Sequence, residues 1–255
     1  MAGRNCADIV FCIDTSGSMQ PCRDAVAANL EKLLESLKSD TQSYWDVRFD
    51  YLAFHNSHQP DGSVLHYCSS MRLPSCPLVD NIYKNQGNSQ DYSQFFTKDV
   101  NEFKNALLKE PLEGEEMQLL ALDIALDFPW RSSSDCHRVV VLLTDEPVET
   151  GIRIEEQVAK MSKLIDKIMK KRVKLFIIAP ESKAFYELSM VDRCEYTDLS
   201  ETADGLRTVD FSKMLQTIGR SVSVSQSYDG GTNAPMPTYE QEGWVAGNGE
   251  FGSDN

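Results

Sequence analysis

Asp14, Ser16 and Ser18 stand at the mouth of a short apolar run, within Asp8-Ile-Val-Phe-Cys-Ile-Asp-Thr-Ser-Gly-Ser-Met19. One carboxylate and two hydroxyls spaced D-x-S-x-S on a tight turn are hard oxygen donors, suited to three positions around an octahedral Mg²⁺, with Mn²⁺ or Ca²⁺ as substitutes. Three donors are half a coordination shell, so other loops must supply the remainder. Other chemistries find less support. There is no G-x-S-x-G elbow, phosphate-binding loop or dinucleotide fingerprint, and no histidine is placed by sequence beside Ser16 or Ser18. His55, His58, His66 and Cys68 offer N and S ligands, but their spacing puts the first pair in a turn, short of a tetrahedral zinc set. The seven cysteines include no C-x-x-C pair and read as reduced, mostly buried thiols.

The elements that must position these donors follow from periodicity. Apolar runs at 8–14, 138–145 and 173–180 read as buried parallel strands, and 45–54 alternates like a strand. The turn at Pro60-Asp61-Gly62 followed by 63–69 suggests an antiparallel hairpin partner closing one edge. Segment 194–199 reads as the opposite edge strand. Helical spacing marks 22–38, 99–110, 115–128, 154–171 and 208–222. Residues 70–97, with Pro74 and Pro77, form a connection long enough to suggest a functional loop. The expected fold is α/β: a Rossmann-like, doubly wound, mostly parallel sheet with one antiparallel edge strand and helices on both faces. One domain is expected over 1–222. The segment 223–255 shifts to Gly, Ser, Asn, Pro and acidic residues, with no Lys or Arg after Arg220, and reads as a flexible tail. It nevertheless carries Tyr228, Tyr239, Trp244 and Phe251, which suit a docking peptide.

In such sheets ligands bind beyond the carboxyl ends of the strands where strand order reverses. That rule brings Asp145, at the end of the 138–145 strand, toward Asp14, Ser16 and Ser18. It also brings in a carboxylate from Gly114-Glu115-Glu116 at the start of the next helix.

A strand followed by D-T-S-G-S-M, a helix carrying Ala121-Leu122 and a later V-L-L-T-D strand end together resemble a von Willebrand factor A (VWA) domain, over about residues 7–222. The resemblance implies a metal-ion-dependent adhesion site (MIDAS). Asp14, Ser16 and Ser18 match its first loop and Asp145 its acidic strand-end residue. The third-loop residue is usually a threonine five positions before the Ala-Leu pair; here that position is Glu116, with Glu115 as the fallback. Integrin β-type VWA domains resemble this chain in placing glutamate there. A direct glutamate adds negative charge, which should tighten cation retention and weaken the pull on an outside carboxylate.

The function so implied is a non-enzymatic, metal-dependent protein–protein interaction module, a scaffold or adaptor that binds an acidic side chain of a partner. Cytosolic VWA proteins of the bacterial tellurite-resistance type, and those associated with MoxR-type AAA+ ATPases, are the nearest in character. A kinase, a phosphatase or an AAA+ ATPase is the expected partner, in a stress-response, signalling or defence complex. Arg72, Tyr83 and Tyr92 of the long loop would widen the interface. Two other readings stand beside this one: a substrate-binding adaptor of an AAA+ chaperone machine, and an Mg²⁺-dependent phosphohydrolase using Arg23 or Arg153 as phosphate contacts. A net charge of −14 is the wrong sign for nucleic acid or an anionic membrane. With no basic-then-apolar leader and no apolar run near the roughly 20 residues a bilayer requires, a cytoplasmic location is expected.

Overall fold

The computed structural model describes residues 5–39, 45–58, 60–61, 64–71, 76–77, 95–112, 117–132, 136–151, 153–199, 206 and 209–228. Among these residues seven strands form one sheet: β1 (Asn5–Asp14), β2 (Trp45–His58), β3 (Val64–Ser69), β4 (Cys76–Pro77), β5 (His137–Leu143), β6 (Val173–Ala179) and β7 (Cys194–Asp198). Their order is β4-β3-β2-β1-β5-β6-β7. β1 pairs in parallel with both β2 and β5, and β5-β6-β7 continue in parallel. β3 runs antiparallel to β2. It is not the edge, however, because the two residues of β4, inside the expected loop 70–97, pair with it on the outside.

Among the described residues seven α-helices flank the sheet: α1 (Gln20–Ser39), α2 (Val100–Leu107), α3 (Gln118–Ala125), α4 (Ile154–Ala159), α5 (Met161–Lys171), α6 (Lys183–Ser189) and α7 (Phe211–Tyr228). Strand alternation divides the core between the two faces. Ile9, Phe11, Ile13, Val139 and Val141 pack under α1, α2 and α7, against Leu30, Leu33, Phe103, Met214 and Ile218. Val10, Cys12, Val140, Leu142 and Ile177 face α3, α5 and α6, against Leu122, Leu164, Ile168 and Phe185. This is the doubly wound α/β arrangement expected from the pattern.

Several boundaries differ from the periodicity. The helix expected at 154–171 breaks at Lys160, whose backbone N–H bonds to Gln157 O at 3.2 Å. Gln157 is fully buried, and its side chain accepts the N–H of Leu119 at 2.8 Å, in the first turn of α3. The Met117 N-cap gives that turn no side-chain bond, so Gln157 satisfies one of its open donors. The short α6, begun by the buried Ser182, carries no expectation from the sequence. α7 continues to Tyr228, six residues past the expected helix end at 222; the tail beyond Tyr228 lies outside the described residues. Among the described residues no helix is long and apolar enough to cross a membrane.

Candidate cation site

Ile13 of β1 lies beside Leu143 of β5, so Asp14 and Thr144 leave the sheet side by side. Strand order reverses between these strands: the chain proceeds from β1 outward through β2 and β3, then returns to the other side of β1 with β5. The gap between their carboxyl ends is the crevice that such sheets use for ligands.

Asp14 is almost fully buried at 1% exposure. Its Oδ1 accepts the backbone N–H of Ser16 at 2.7 Å, which bends the chain into the turn. Its Oδ2 accepts the hydroxyl of Thr144 at 3.1 Å, which ties the two strand ends together. Thr15 fastens the turn to β2 by donating its hydroxyl to Phe54 O at 3.0 Å. The hydroxyls of Ser16 and Ser18 are hydrogen-bonded to one another at 3.0 Å. Two oxygens at adjacent corners of an Mg²⁺ octahedron, each about 2.1 Å from the ion, are separated by about 3.0 Å. The hydrogen-bonded serine pair is thus already at a separation that two neighbouring ligands would keep. Ser16 is buried and Ser18 exposed, so the pair opens toward solvent.

Asp145 follows Thr144 into the same crevice, and its Oδ1 is buried with no hydrogen-bond partner among the described residues. A second oxygen shares that condition. Gln118 is fully buried, and its Nε2 donates to Glu146 O at 3.2 Å and lies 3.4 Å from Thr144 Oγ1, while its Oε1 has no partner among the described residues. Gln118 thus wraps the Thr144–Glu146 turn and leaves an oxygen beside it. Unmatched buried oxygens cost about 1–3 kcal/mol each unless water or a cation satisfies them.

The thiol of Cys22, on the first turns of α1, reports on the same crevice. Burial pushes it well above the usual cysteine range, and the charges of Asp14 and Asp145 push it further. Both carboxylates therefore act on one point beneath the loop.

The carboxylate expected from the third loop, Glu116, and its fallback Glu115 lie outside the described residues. So do Arg72, Tyr83 and Tyr92, and the side chains of His55, His58 and His66. Among the described residues, no group of three or more His, Cys, Asp or Glu side chains is arranged to hold a metal. The donor set described here is one of mixed hydroxyl and carboxylate oxygens, and it fits a hard divalent cation on the serine spacing and the unmatched Asp145 oxygen.

The arginines considered for phosphate contact are engaged elsewhere. Arg23 donates to Glu110 O at 2.9 Å and to its neighbour Asp24. Arg153 pairs with Glu156 one helical turn away.

Sequence reasoning had no means of finding Thr144, Gln118 or Cys22 as parts of the site. Thr144 is visible only as a letter of the strand-end motif, and a buried glutamine at a helix start has no pattern of its own. It also had no means of finding Asp50. This fully buried carboxylate accepts the N–H groups of Met71 at 3.3 Å and Phe96 at 2.9 Å, so one residue holds both feet of the 70–97 excursion. Phe96 takes a left-handed φ of 65° to do so, a conformation uncommon for a bulky residue.

No sequence-family profile and no curated protein matches the chain. Solved structures similar to it include the pilus adhesin SpaC from Lactobacillus rhamnosus GG in its open conformation, at 13% identity, TM-score 0.47, and coverage of 88% of this chain and 31% of that one. The human COPII-coat protein Sec24c matches at 12% identity and TM-score 0.49, over 87% of this chain and 33% of that one. Proximal thread matrix protein 1 from the mussel byssus matches at 13% identity and TM-score 0.46, over 87% and 49%. The chain spans about a third of the length of the first two.

Proposed function

We propose that this chain is a VWA-type, metal-dependent interaction module without catalytic activity of its own. Ser16 and Ser18 would hold the cation through their hydroxyls, Asp14 and Asp145 directly or through water, and Glu116 from the third loop. A bound Mg²⁺ supplies a positively charged open position that takes a carboxylate from a protein partner. The chain's own residues do the positioning. Thr144 and the Ser16 amide fix the Asp14 carboxylate, and Gln118 fixes the turn that carries Asp145. The observation that carries this reading is the unmatched, buried Asp145 oxygen in the crevice that also holds Asp14 and a serine pair at ligand spacing. With a glutamate as third-loop ligand, tight cation retention is expected, together with selectivity for the acidic partner. Scaffolding beside a kinase, phosphatase or AAA+ ATPase in a cytoplasmic complex is the setting proposed.

Calorimetric titration with Mg²⁺ and Mn²⁺ tests the site. Wild type should bind one ion, Asp14→Ala and Asp145→Ala should lose at least tenfold in affinity, and Glu116→Thr should bind more weakly than wild type. Equal affinity in all four proteins would remove the cation site. A pull-down with and without EDTA, read by mass spectrometry, then tests the module: partners captured by wild type should be lost with EDTA and with Asp14→Ala.

A further inference from the structure

At the end of the sheet opposite the cation site, Ala7 of β1 lies beside His137 of the parallel strand β5. One residue further toward the amino terminus, the same register sets Cys6 beside Cys136. Neighbouring parallel strands lie about 4.8 Å apart, inside the roughly 4.4–6.8 Å Cα separation that a disulfide bridges. Both residues are free cysteines, each close enough to influence the other's titration, and Cys136 Sγ donates to His137 O at 3.6 Å. Cys136 is 6% exposed and Cys6 is partly exposed, so Cys6 is the more accessible residue of the pair. Burial raises both thiols above the ordinary cysteine range, and the Arg131 guanidinium, anchored on Asp8 at 2.8 Å, offsets part of that rise at each sulfur. Cys68 and Cys76 are also register partners, on the antiparallel strands β3 and β4.

We propose that Cys6 and Cys136 are a reversible redox pair, oxidised to a disulfide by a hydroperoxide and reduced again by a small thiol. The Cys6 thiolate attacks the outer oxygen of the hydroperoxide. An S–O bond forms, the O–O bond breaks, and an alcohol or water leaves, giving the sulfenic acid at Cys6. The Cys136 thiolate then attacks that sulfur. The S–S bond forms, the S–O bond breaks, and hydroxide departs as water with the Cys136 proton. The two sulfurs lose two electrons in all and the hydroperoxide gains them. Two equivalents of a small thiol reverse the change, becoming a disulfide themselves. A bridge between directly paired strands is geometrically constrained, which favours ready reduction.

The pair lies eight residues of β1 away from Asp14, on the order of 26 Å at strand rise, so its test is independent of the cation reading. The full chain is exposed to hydrogen peroxide, denatured, alkylated and mapped by peptide mass spectrometry. The Cys6–Cys136 linkage should dominate among cross-linked peptides and disappear after dithiothreitol, with both thiols alkylated. In Cys6→Ser, Cys136 should remain a free thiol under the same exposure. Cys6 recovered as a sulfinic acid while Cys136 stays free, or either residue linked mainly to another cysteine, overturns the proposal. The wild-type map decides by itself should the variant fail to fold.

Discussion

Two aspartates on one strand show how differently the fold uses the same side chain. Asp14 ends β1 among hydroxyls and amides. Asp8, fully buried near its start, accepts Arg48 through two bonds of 2.9 and 2.7 Å, together with the Arg131 guanidinium and backbone N–H, both at 2.8 Å. Burial alone would raise the Asp8 carboxyl, but these donors outweigh it and hold it below its ordinary value of 3.8. A carboxyl lowered on folding adds stability that is complete above its unfolded value and is lost as pH falls through the folded one. Asp8→Asn should therefore cost about 3–5 kcal/mol near neutral pH, because two guanidiniums lose their counter-charge. Urea melts should show the gap between wild type and variant narrowing only below about pH 4. Asp14, Ser16, Ser18 and Asp145 were legible because their chemistry is written in local spacing and strand ends. Asp8 was not, since its partners lie 40 and 123 residues along the chain, and nothing local marks a carboxylate for burial. Gln118 and Asp50 escaped notice for the same reason.

Among the elements, the strands were the most readable, because a fully buried parallel strand is a continuous apolar run. Helix limits were less so: α4 and α5 part where Gln157 turns inward to serve α3, a tertiary demand that periodicity does not carry. The glycines make the same distinction. Gly219 sits where α7 crosses α1, and a Cβ there would come 1.9 Å from Ser36 Oγ and 3.0 Å from Leu33 O. Gly17, although it separates the two serines of the motif, has no atom within 4 Å of a Cβ and no left-handed φ. Gly219→Ala should thus lose about 1–3 kcal/mol through overpacking, with part of the loss recovered by adding Ser36→Ala. Gly17→Ala should remain within about 0.5 kcal/mol of wild type. Thermal unfolding of the four proteins checks both statements. A large loss at Gly17 would mean that the turn needs glycine for a reason other than space.

For the molecule as a whole, 39 acidic residues against 25 basic give a charge that repels itself in the compact state. Raising NaCl from about 10 to 150 mM shortens the screening length from about 30 to 8 Å. The unfolding midpoint should rise by on the order of 2–4 °C if that relief is worth about 1 kcal/mol. MgCl₂ at matched ionic strength should add a further rise in wild type, since binding to the folded form alone stabilises it, and none in Asp14→Ala. Equal midpoints in the two salts would count against a specific cation. The position of β1 has a mechanical consequence as well. It is the central strand, bonded in parallel to a neighbour on each side along nearly its whole length. A pull along its axis loads both ladders in shear at once, so they yield together instead of opening one bond at a time. Force along β1 thus meets the resistance of both ladders together, and the strand that bears it ends at Asp14.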